Sequence, residues 1–492
     1  MTPDLTRYPT VAQIRAAEAA TGLLDGGVLM GRASHGLATA ILNALRATGG
    51  VYGRRAGLAI GSGDNGGDAL YAGAALARRG VGVQALLLTP DRAHAGGLAA
   101  LRAAGGRVVD AFDRLDVIVD GVVGIGGVGP LRPAAAAAFT AAAQRSPDAI
   151  VVAVDLPSGV DADTGVVHDP AVRADLTVTF GVPRRAHVLA APQCGRVVVV
   201  DIGLAPDAAD AAVLASLSPS QVGGLWPVPR PTDDKYRQGV VGIVAGSSAY
   251  PGAALLSTGA AVAATSGMTR YAGPAASAVV TAHPEVVAVP EPQEAGRVQA
   301  WVVGPGLGTD EAALRRLTTV LAGDVPVLVD ADGVTLLARH RDLLAGRRAP
   351  TLLTPHAGEF ARLTGEPVGP DRVAAVAACA AETGATVLLK GRATLIARSD
   401  APEVLVNEAG SSWAATAGSG DALSGIIGAL LAAGLPPATA AAMGARAHSV
   451  AAHIAAGAPG APIGASALVA GISEAIRVLR AEAAAAPQSR RI

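Results

Sequence analysis

Residues 61–70, GSGDNGGDAL, place four glycines and two aspartates within positions 61–68. The stretch follows a short apolar run and opens an apolar helical pattern. Its backbone N–H groups therefore fall at a helix start, which favours a phosphate or another oxyanion. No Gly-Lys-Ser/Thr follows, so it is not a Walker A loop. Asp64 and Asp68 would repel a pyrophosphate, so it is no clean GxGxxG turn either. Residues 417–431, AGSGDALSGIIGALL, carry Gly-Ser-Gly-Asp again at 418–421. There the N–H groups after Gly418 can hold developing phosphate charge, and Asp421 in the first helical turn can accept a proton from a hydroxyl. Taken singly, each stretch also has a plainer reading as a capped turn entering a core helix.

Companion segments favour chemistry. DVIVDGVVGIGGVGPLRP (116–133) ends a strand pattern on Asp120 and enters a glycine loop, and VVAVDLPSGVDADTG (151–165) ends another on Asp155, ahead of Ser158. Asn65, Asp120 and Ser158 offer amide, carboxylate and hydroxyl oxygens with a single formal charge. That donor set suits a monovalent cation better than Zn²⁺ or Mg²⁺, although each aspartate could equally cap the following helix. Downstream, VVGPGLG (302–308) runs a strand into a Gly-Pro-Gly turn, and LVDADGV (328–334) ends one on Asp330 and Asp332. LLTPHAGEFARL (352–363) sets His356 and Glu359 in a strand-to-helix turn. VLLKGRATLIA (387–397) reads as a hairpin whose Lys390 and Thr394 can reach a phosphate.

The elements that must hold these residues alternate. Apolar runs at 56–60, 81–88, 115–119, 149–154, 174–180 and 196–200 have the length of buried parallel strands. Helical patterns lie near 10–20, 23–47, 68–79, 93–104 and 133–144. After Pro229, Pro231 and TDD a second unit opens at 239–247, with strands at 300–303, 325–329, 351–354, 385–389 and 394–397. Its helices are expected at 252–266, 310–322, 357–364, 371–383, 419–432, 437–456 and 465–482. The expected architecture is α/β in two domains, 1–225 and 226–492, with ligands at the carboxyl ends of parallel strands. A chain of 492 residues that is 51% hydrophobic supports two large cores. A net charge of −1 and 3% aromatic residues argue against nucleic acid as partner. Cys194 and Cys379 form no disulfide framework. No secretory leader pattern stands at the N-terminus, and GLPP (434–437) breaks the uncharged stretch 422–445, so no membrane span and a cytoplasmic location are expected.

GSGDNGGDAL, VDGVVGIGGVGPL and VDLPSGVDADTG together resemble the NAD(P)H-hydrate epimerase family. The resemblance implies a Rossmann-like αβα sandwich. It implies that Asp64, Asn65, Gly66, Gly67 and Asp68, with Gly124, Ile125, Gly126, Gly127, Val128, Gly129 and Pro130, bind the hydrated dinucleotide. It further implies that Asn65, Asp120 and Ser158 hold K⁺ and that Asp155 lies at the substrate. Asp64 stands where the family usually has Asn, adding a carboxylate. The downstream set resembles the ribokinase-like superfamily and, within it, the ADP/ATP-dependent NAD(P)H-hydrate dehydratases. That implies an αβα sandwich in which Ala253, Gly306, His356 and Asp421 line the hydrate site. Lys390, Gly391, Arg392, Ala393, Thr394 and Gly420 would then contact the adenine nucleotide, with Mg²⁺. Glu408 and Ala409 depart from the usual pattern after Asn407.

The expected activities are epimerisation of R and S forms of NADHX or NADPHX and dehydration of the S form at the expense of ADP, with ATP the alternative donor. Asp421 would be the base of phosphoryl transfer and Asp155 the acid/base of the epimerase. A homo-oligomer is expected. The competing readings are a vitamin-precursor kinase of the same superfamily and a dinucleotide-sensing N-terminal half without turnover.

Overall fold

The computed structural model describes residues 5–23, 27–204, 214–234, 236–265 and 267–486. They form two compact units, Arg7–Val213 and Leu214–Ile492, the second joined by Met1–Thr6.

In the first unit, seven parallel strands run in the order Arg107–Val108, Gly82–Leu87, Arg55–Ile60, Val117–Gly121, Ile150–Val154, Leu176–Phe180, Arg196–Val200. Side chains of a strand alternate between faces, and the clusters follow that alternation. Leu58 and Ile60, with Val117 and Val119, pack beneath Val28–Ala47 and Asp64–Ala77, while Ala59 and Ile118 meet Phe112, Leu115 and Ala142 of Pro133–Arg145. Helices thus cover both faces in three layers. After Arg55–Ile60 the chain builds outward to one edge, then returns to its other side with Val117–Gly121. This reversal opens a crevice at the carboxyl ends of those two strands, where ligands of such sheets bind.

The second unit has a sheet whose parallel core runs Val287–Val289, Met268–Ala272, Val240–Val244, Ala300–Val303, Val327–Val329, Thr351–Leu353, Thr386–Leu389. Antiparallel Ala393–Arg398 and Ala401–Glu408 extend it. One face packs on Pro251–Ala264, Ser419–Ala432, Pro437–Ala456 and Ala465–Ala485 through Val241, Ile243, Val302, Leu328, Leu352 and Leu388. The uncharged stretch divides into two helices at Gly434–Pro436. Among the described residues no helix is long and apolar enough to cross a membrane.

The elements expected from the sequence form, with departures where residue types are mixed. The strand Met268–Ala272 contains Thr269 and Arg270, and Val287–Val289 is a short edge strand. The expected helix 23–47 starts at Val28, with residues 24–26 outside the described set. The division between units also falls at 213/214 rather than 225/226. Leu214–Ser216 pairs in parallel with Ala401–Glu408. Pro219–Leu225 packs on Ala465–Ala485, where a Cβ on Gly223 would fall 1.9 Å from the Leu479 carbonyl oxygen. Trp226 Nε1 donates to the Ala264 carbonyl at 3.0 Å. Buried apolar residues, rather than the proline-rich segment beyond them, place the boundary.

Leu214, Leu217 and Val222 are buried in the second unit. A fragment 226–492 should therefore be less stable than 214–492 by on the order of 5 kcal/mol. Thermal denaturation should show the shorter fragment melting roughly 10 °C or more below the longer one.

Candidate functional sites

In the first unit, the helix Asp64–Ala77 starts behind Gly63, directly after Arg55–Ile60. The loop after Val117–Gly121 and the turn after Ile150–Val154 converge on it. Around a cavity of about 470 Å³ stand Asp64, Asn65 and Asp68, then Gly124, Ile125 and Gly126, then Asp155 and Arg184. Gly126 to Pro130 wall an adjoining cavity of about 390 Å³ with Leu156–Val160. Gly66 and Gly67 are buried in the helix and line neither. Gly124 permits close approach: a Cβ there would fall 2.4 Å from Asn65 Oδ1.

Asp155 adopts a left-handed backbone, φ 68°, at the strand end, a conformation Asp tolerates better than most residues. Its Oδ1 accepts from Thr179 Oγ1 at 2.8 Å and from Arg184 Nε at 3.0 Å, with Arg184 Nη2 2.9 Å away. Among the described residues Oδ2 receives no hydrogen bond, so one oxygen is anchored and the other free. His187 supports the turn. Its Nδ1 accepts from the Arg184 N–H at 2.9 Å, which leaves Nε2 to donate to the Asp155 carbonyl at 2.8 Å. Burial pushes this imidazole down to about 4, so it is a neutral core group.

Asp68 has the opposite environment. Only 6% exposed, its Oδ1 meets no hydrogen-bond partner. Burial, then the charges of Asp155, Asp64 and Glu18, hold its carboxyl well above the usual range. Two carboxyl groups of one cavity thus sit in different environments, one met by a guanidinium and a hydroxyl and the other with an unpartnered oxygen.

Of the three residues expected to hold a cation, Asp120 and Ser158 are joined directly, while Asn65 is held separately. Ser158 donates through Oγ to Asp120 Oδ1 at 2.7 Å and through its N–H to Oδ2 at 2.7 Å, and its Oγ accepts from the Val123 N–H at 3.1 Å. Asn65 Nδ2 donates to the Val154 carbonyl at 2.7 Å, leaving Oδ1 as an acceptor. Asp120 is fully buried with no cationic partner, and burial pushes its carboxyl up to about 6. An oxygen-only set around one buried carboxylate that is hydrogen-bonded but has no cationic partner fits a monovalent cation.

In the second unit, strand register aligns the catalytic edge: Val303 pairs Val329, Val329 pairs Leu353, and Leu353 pairs Val387. Asp330 and Lys390 consequently leave the ends of the two strands that flank Thr351–Leu353 and form a close ion pair, with Asp330 Oδ2 also accepting from Ser424 Oγ at 2.7 Å. Gly418, at φ 83°, starts the helix carrying Asp421. Burial, then Asp330, push the Asp421 carboxyl up to about 6 against the opposing pull of Lys390. Asp332 and Glu359 add to the rise. His356 caps Ala357–Thr364: its Nδ1 accepts from Gly358 N–H at 2.9 Å while its own N–H donates to Glu359 Oε2 at 2.9 Å. Gly306 has φ 57°, and a Cβ there would fall 2.7 Å from Ala253 Cβ, so these two expected residues adjoin.

Lys390, Gly391, Arg392, Thr394 and Gly420 line one cavity of about 290 Å³. Ala393 does not; it is buried in the strand, paired with Glu408. The same cavity has Ser411, Ser412, His448 and Ser449 in its wall, none singled out from the sequence. His448 Nε2 lies 2.9 Å from the Ser419 carbonyl. Asn407 is buried beside it, donating to Ser449 Oγ at 3.1 Å. Glu408, which departs from the family pattern, stands 2.8 Å from Arg392 Nε.

These geometries define an α/β protein with one carboxylate-lined cavity in the first unit and, in the second, a cavity lined by Lys390 and the start of the helix that carries Asp421. The profile of the YjeF-related protein N-terminus matches residues 26–186, and that of NAD(P)H-hydrate dehydratase matches 241–474. The bifunctional NAD(P)H-hydrate repair enzyme Nnr of Mycobacterium tuberculosis H37Rv is 59% identical over 441 residues, covering 89% of this chain and 92% of its own. That of Mycobacterium leprae is 56% identical over 482 residues, covering 96% and 100%. An ADP/ATP-dependent NAD(P)H-hydrate dehydratase from Bacillus subtilis, crystallised with ATP/Mg²⁺, superposes with a TM-score of 0.48 at 25% identity, covering 55% of this chain and 100% of that one. The chain belongs to the family of bifunctional NAD(P)H-hydrate repair enzymes.

Arg184→Ala would leave the Asp155 charge buried and unpaired. We expect it to destabilise the first unit by about 3 kcal/mol, read as a lower urea midpoint for that unit's transition.

Proposed function

We propose that this enzyme returns hydrated NAD(P)H to NAD(P)H, the first unit interconverting R and S hydrates and the second dehydrating the S form with ADP. The observation that supports this most directly is the pairing of two different carboxylate sites, one with a base beside a phosphate cradle, on a chain of this family.

In the second unit, Asp421 takes the proton of the ring C6 hydroxyl while that oxygen attacks the terminal phosphorus of ADP and AMP departs. Lys390 and the N–H groups at Ser419–Gly420 stabilise the charge that develops on the phosphoryl oxygens. The phosphate ester then leaves as phosphate, its C6–O bond breaking with help from the ring-nitrogen lone pair. Loss of a C5 proton completes the dihydropyridine. Hydroxide is a poor leaving group at neutral pH and phosphate a good one, which is why a kinase-like site suits a dehydration. Magnesium arrives with nucleotide phosphates and requires only one or two protein carboxylates. No group of three or more His, Cys, Asp or Glu gathers among the described residues, and that requirement does not call for one.

In the first unit, Asp155 Oδ2 takes the C6 hydroxyl proton as the C6–N1 bond opens to an aldehyde. Asp68 gives N1 a proton; rotation and reclosure deliver the other hand, with both protons returned. Asn65, Asp120 and Ser158 would hold K⁺, which supplies positive charge to the buried Asp120 carboxylate and fixes the loop that follows it.

Asp421→Asn should lower dehydratase kcat by about 10²- to 10⁴-fold with epimerisation unchanged. Because the base works ionised, wild-type kcat should fall as pH drops through about 6. The assay is recovery of reduced-nicotinamide absorbance from hydrated NADH and ADP; full activity of the variant would defeat the assignment. Replacing choline chloride by about 100 mM KCl should raise the first unit's Tm by roughly 2 °C or more. Asp120→Asn should abolish that increment.

A further inference from the structure

The first unit's cavity is short of positive charge for a dinucleotide. Its walls carry four carboxyl groups, Glu18, Asp64, Asp68 and Asp155, against two guanidinium groups, Arg15 and Arg184. Arg184 is 2% exposed and committed to Asp155 through Nε and Nη2. A phosphate entering here meets Asp64 at the helix start, where the family usually has a neutral side chain. The loop and helix N–H groups supply only partial charges.

Arg15 is the remaining cation in the wall. It belongs to the helix Val11–Ala20, which lies ahead of the segment matched by the N-terminal profile. That helix is fixed in place. Thr10 and Gln13 close a capping box at its start, and the Val11 N–H donates to Asp163 Oδ1 at 2.9 Å. Arg15 is exposed and makes no hydrogen bond or close ion pair among the described residues; its charge acts on Glu18, one turn along the helix. Its Nη2 would stand 3.4 Å from a Cβ on Gly126, so it reaches over the glycine loop that walls both cavities. Gly124 and Gly126 leave the backbone beneath it bare.

We propose that Arg15 is a substrate-binding residue of the epimerase site, holding a phosphate of the hydrated dinucleotide against the Gly124–Gly126 loop and offsetting the carboxylate of Asp64. The inference rests on the cavity being the epimerase site. The phosphate is either the pyrophosphate, present in both substrates, or the ribose 2′-phosphate, present only in NADPHX. A guanidinium matches either in a forked geometry that an ammonium reproduces incompletely.

The test is steady-state epimerisation of NADHX and NADPHX by the full-length wild-type enzyme, Arg15→Gln and Arg15→Lys, at constant K⁺. Arg15→Gln should raise KM by about 10- to 100-fold with kcat within about twofold, and Arg15→Lys should recover part of the loss. Raising choline chloride should increase wild-type KM more steeply than that of Arg15→Gln. An equal KM rise for both substrates assigns the pyrophosphate; a rise for NADPHX alone assigns the 2′-phosphate. Dehydration of the S form with ADP should be unchanged, and the retained epimerisation kcat controls for folding of the first unit. Unchanged KM for both substrates, or a loss confined to kcat, overturns the assignment. Absence of epimerisation by the wild-type enzyme would instead overturn the reading of the cavity, and this inference with it.

Discussion

A carboxylate placed at the carboxyl end of a parallel strand is removed from water by the layers on either side. Unless charge or hydrogen bonds meet it there, burial costs several kcal/mol. Both units of this protein are organised around that cost. Asp155 is met by a guanidinium and a hydroxyl, Asp120 by the N–H and Oγ of Ser158, and Asp330 by Lys390 and Ser424. Each compensation draws a second segment to the strand end: Arg184 from beyond Leu176–Phe180, Ser158 from beyond Ile150–Val154, and Lys390 from beyond Thr386–Leu389. The loops that bear the chemistry are thereby fixed by the same contacts that make burial tolerable.

The groups left uncompensated are the informative ones. Asp68 and Asp421 are each held toward the neutral form, chiefly by burial and then by neighbouring carboxylates. They differ in what stands nearby. Lys390 opposes the rise at Asp421, which keeps that group near 6 and able to act as a base at neutral pH. No cation is among the causes acting on Asp68, so nothing opposes the rise there. Local charge, more than residue type, separates the two roles.

Much of this was legible in the chain because the residues concerned punctuate apolar runs. Asp120, Asp155 and Asp330 each end a run of strand length, and Gly418–Asp421 opens an apolar helix. Alternation of strand and helix patterns then places their ends along one edge. The compensating partners were less legible. Arg184 lies 29 positions from Asp155 and Ser424 lies 94 from Asp330, and nothing in local periodicity links them. His448 reaches the cavity beside Lys390 from the middle of Pro437–Ala456, an alanine-rich helix that reads as core. The unit boundary was misplaced for a related reason. Proline-rich composition marks where the chain is irregular, whereas membership of a unit depends on where Leu214, Leu217 and Val222 are buried.

Two chemistries on one substrate also explain why the sites need not share a design. Interconverting the two hands of a hydrate is close to thermodynamically neutral, so the first site requires only proton donors and acceptors on a reversible path. Removing water in one direction needs an external driving force, which phosphoryl transfer from a nucleotide provides. A site that holds one hand of a carbinol against a phosphoryl donor must leave the other hand's hydroxyl misplaced, and discrimination of that kind is strong because the misplaced group leaves buried partners unpaired. The rejected hand would accumulate without an isomerase. Because the second step is irreversible, the first can operate at equilibrium and still be drained completely, provided its flux exceeds that of the dehydration it feeds. That requirement concerns rates alone, and an acid–base site with no energy input satisfies it.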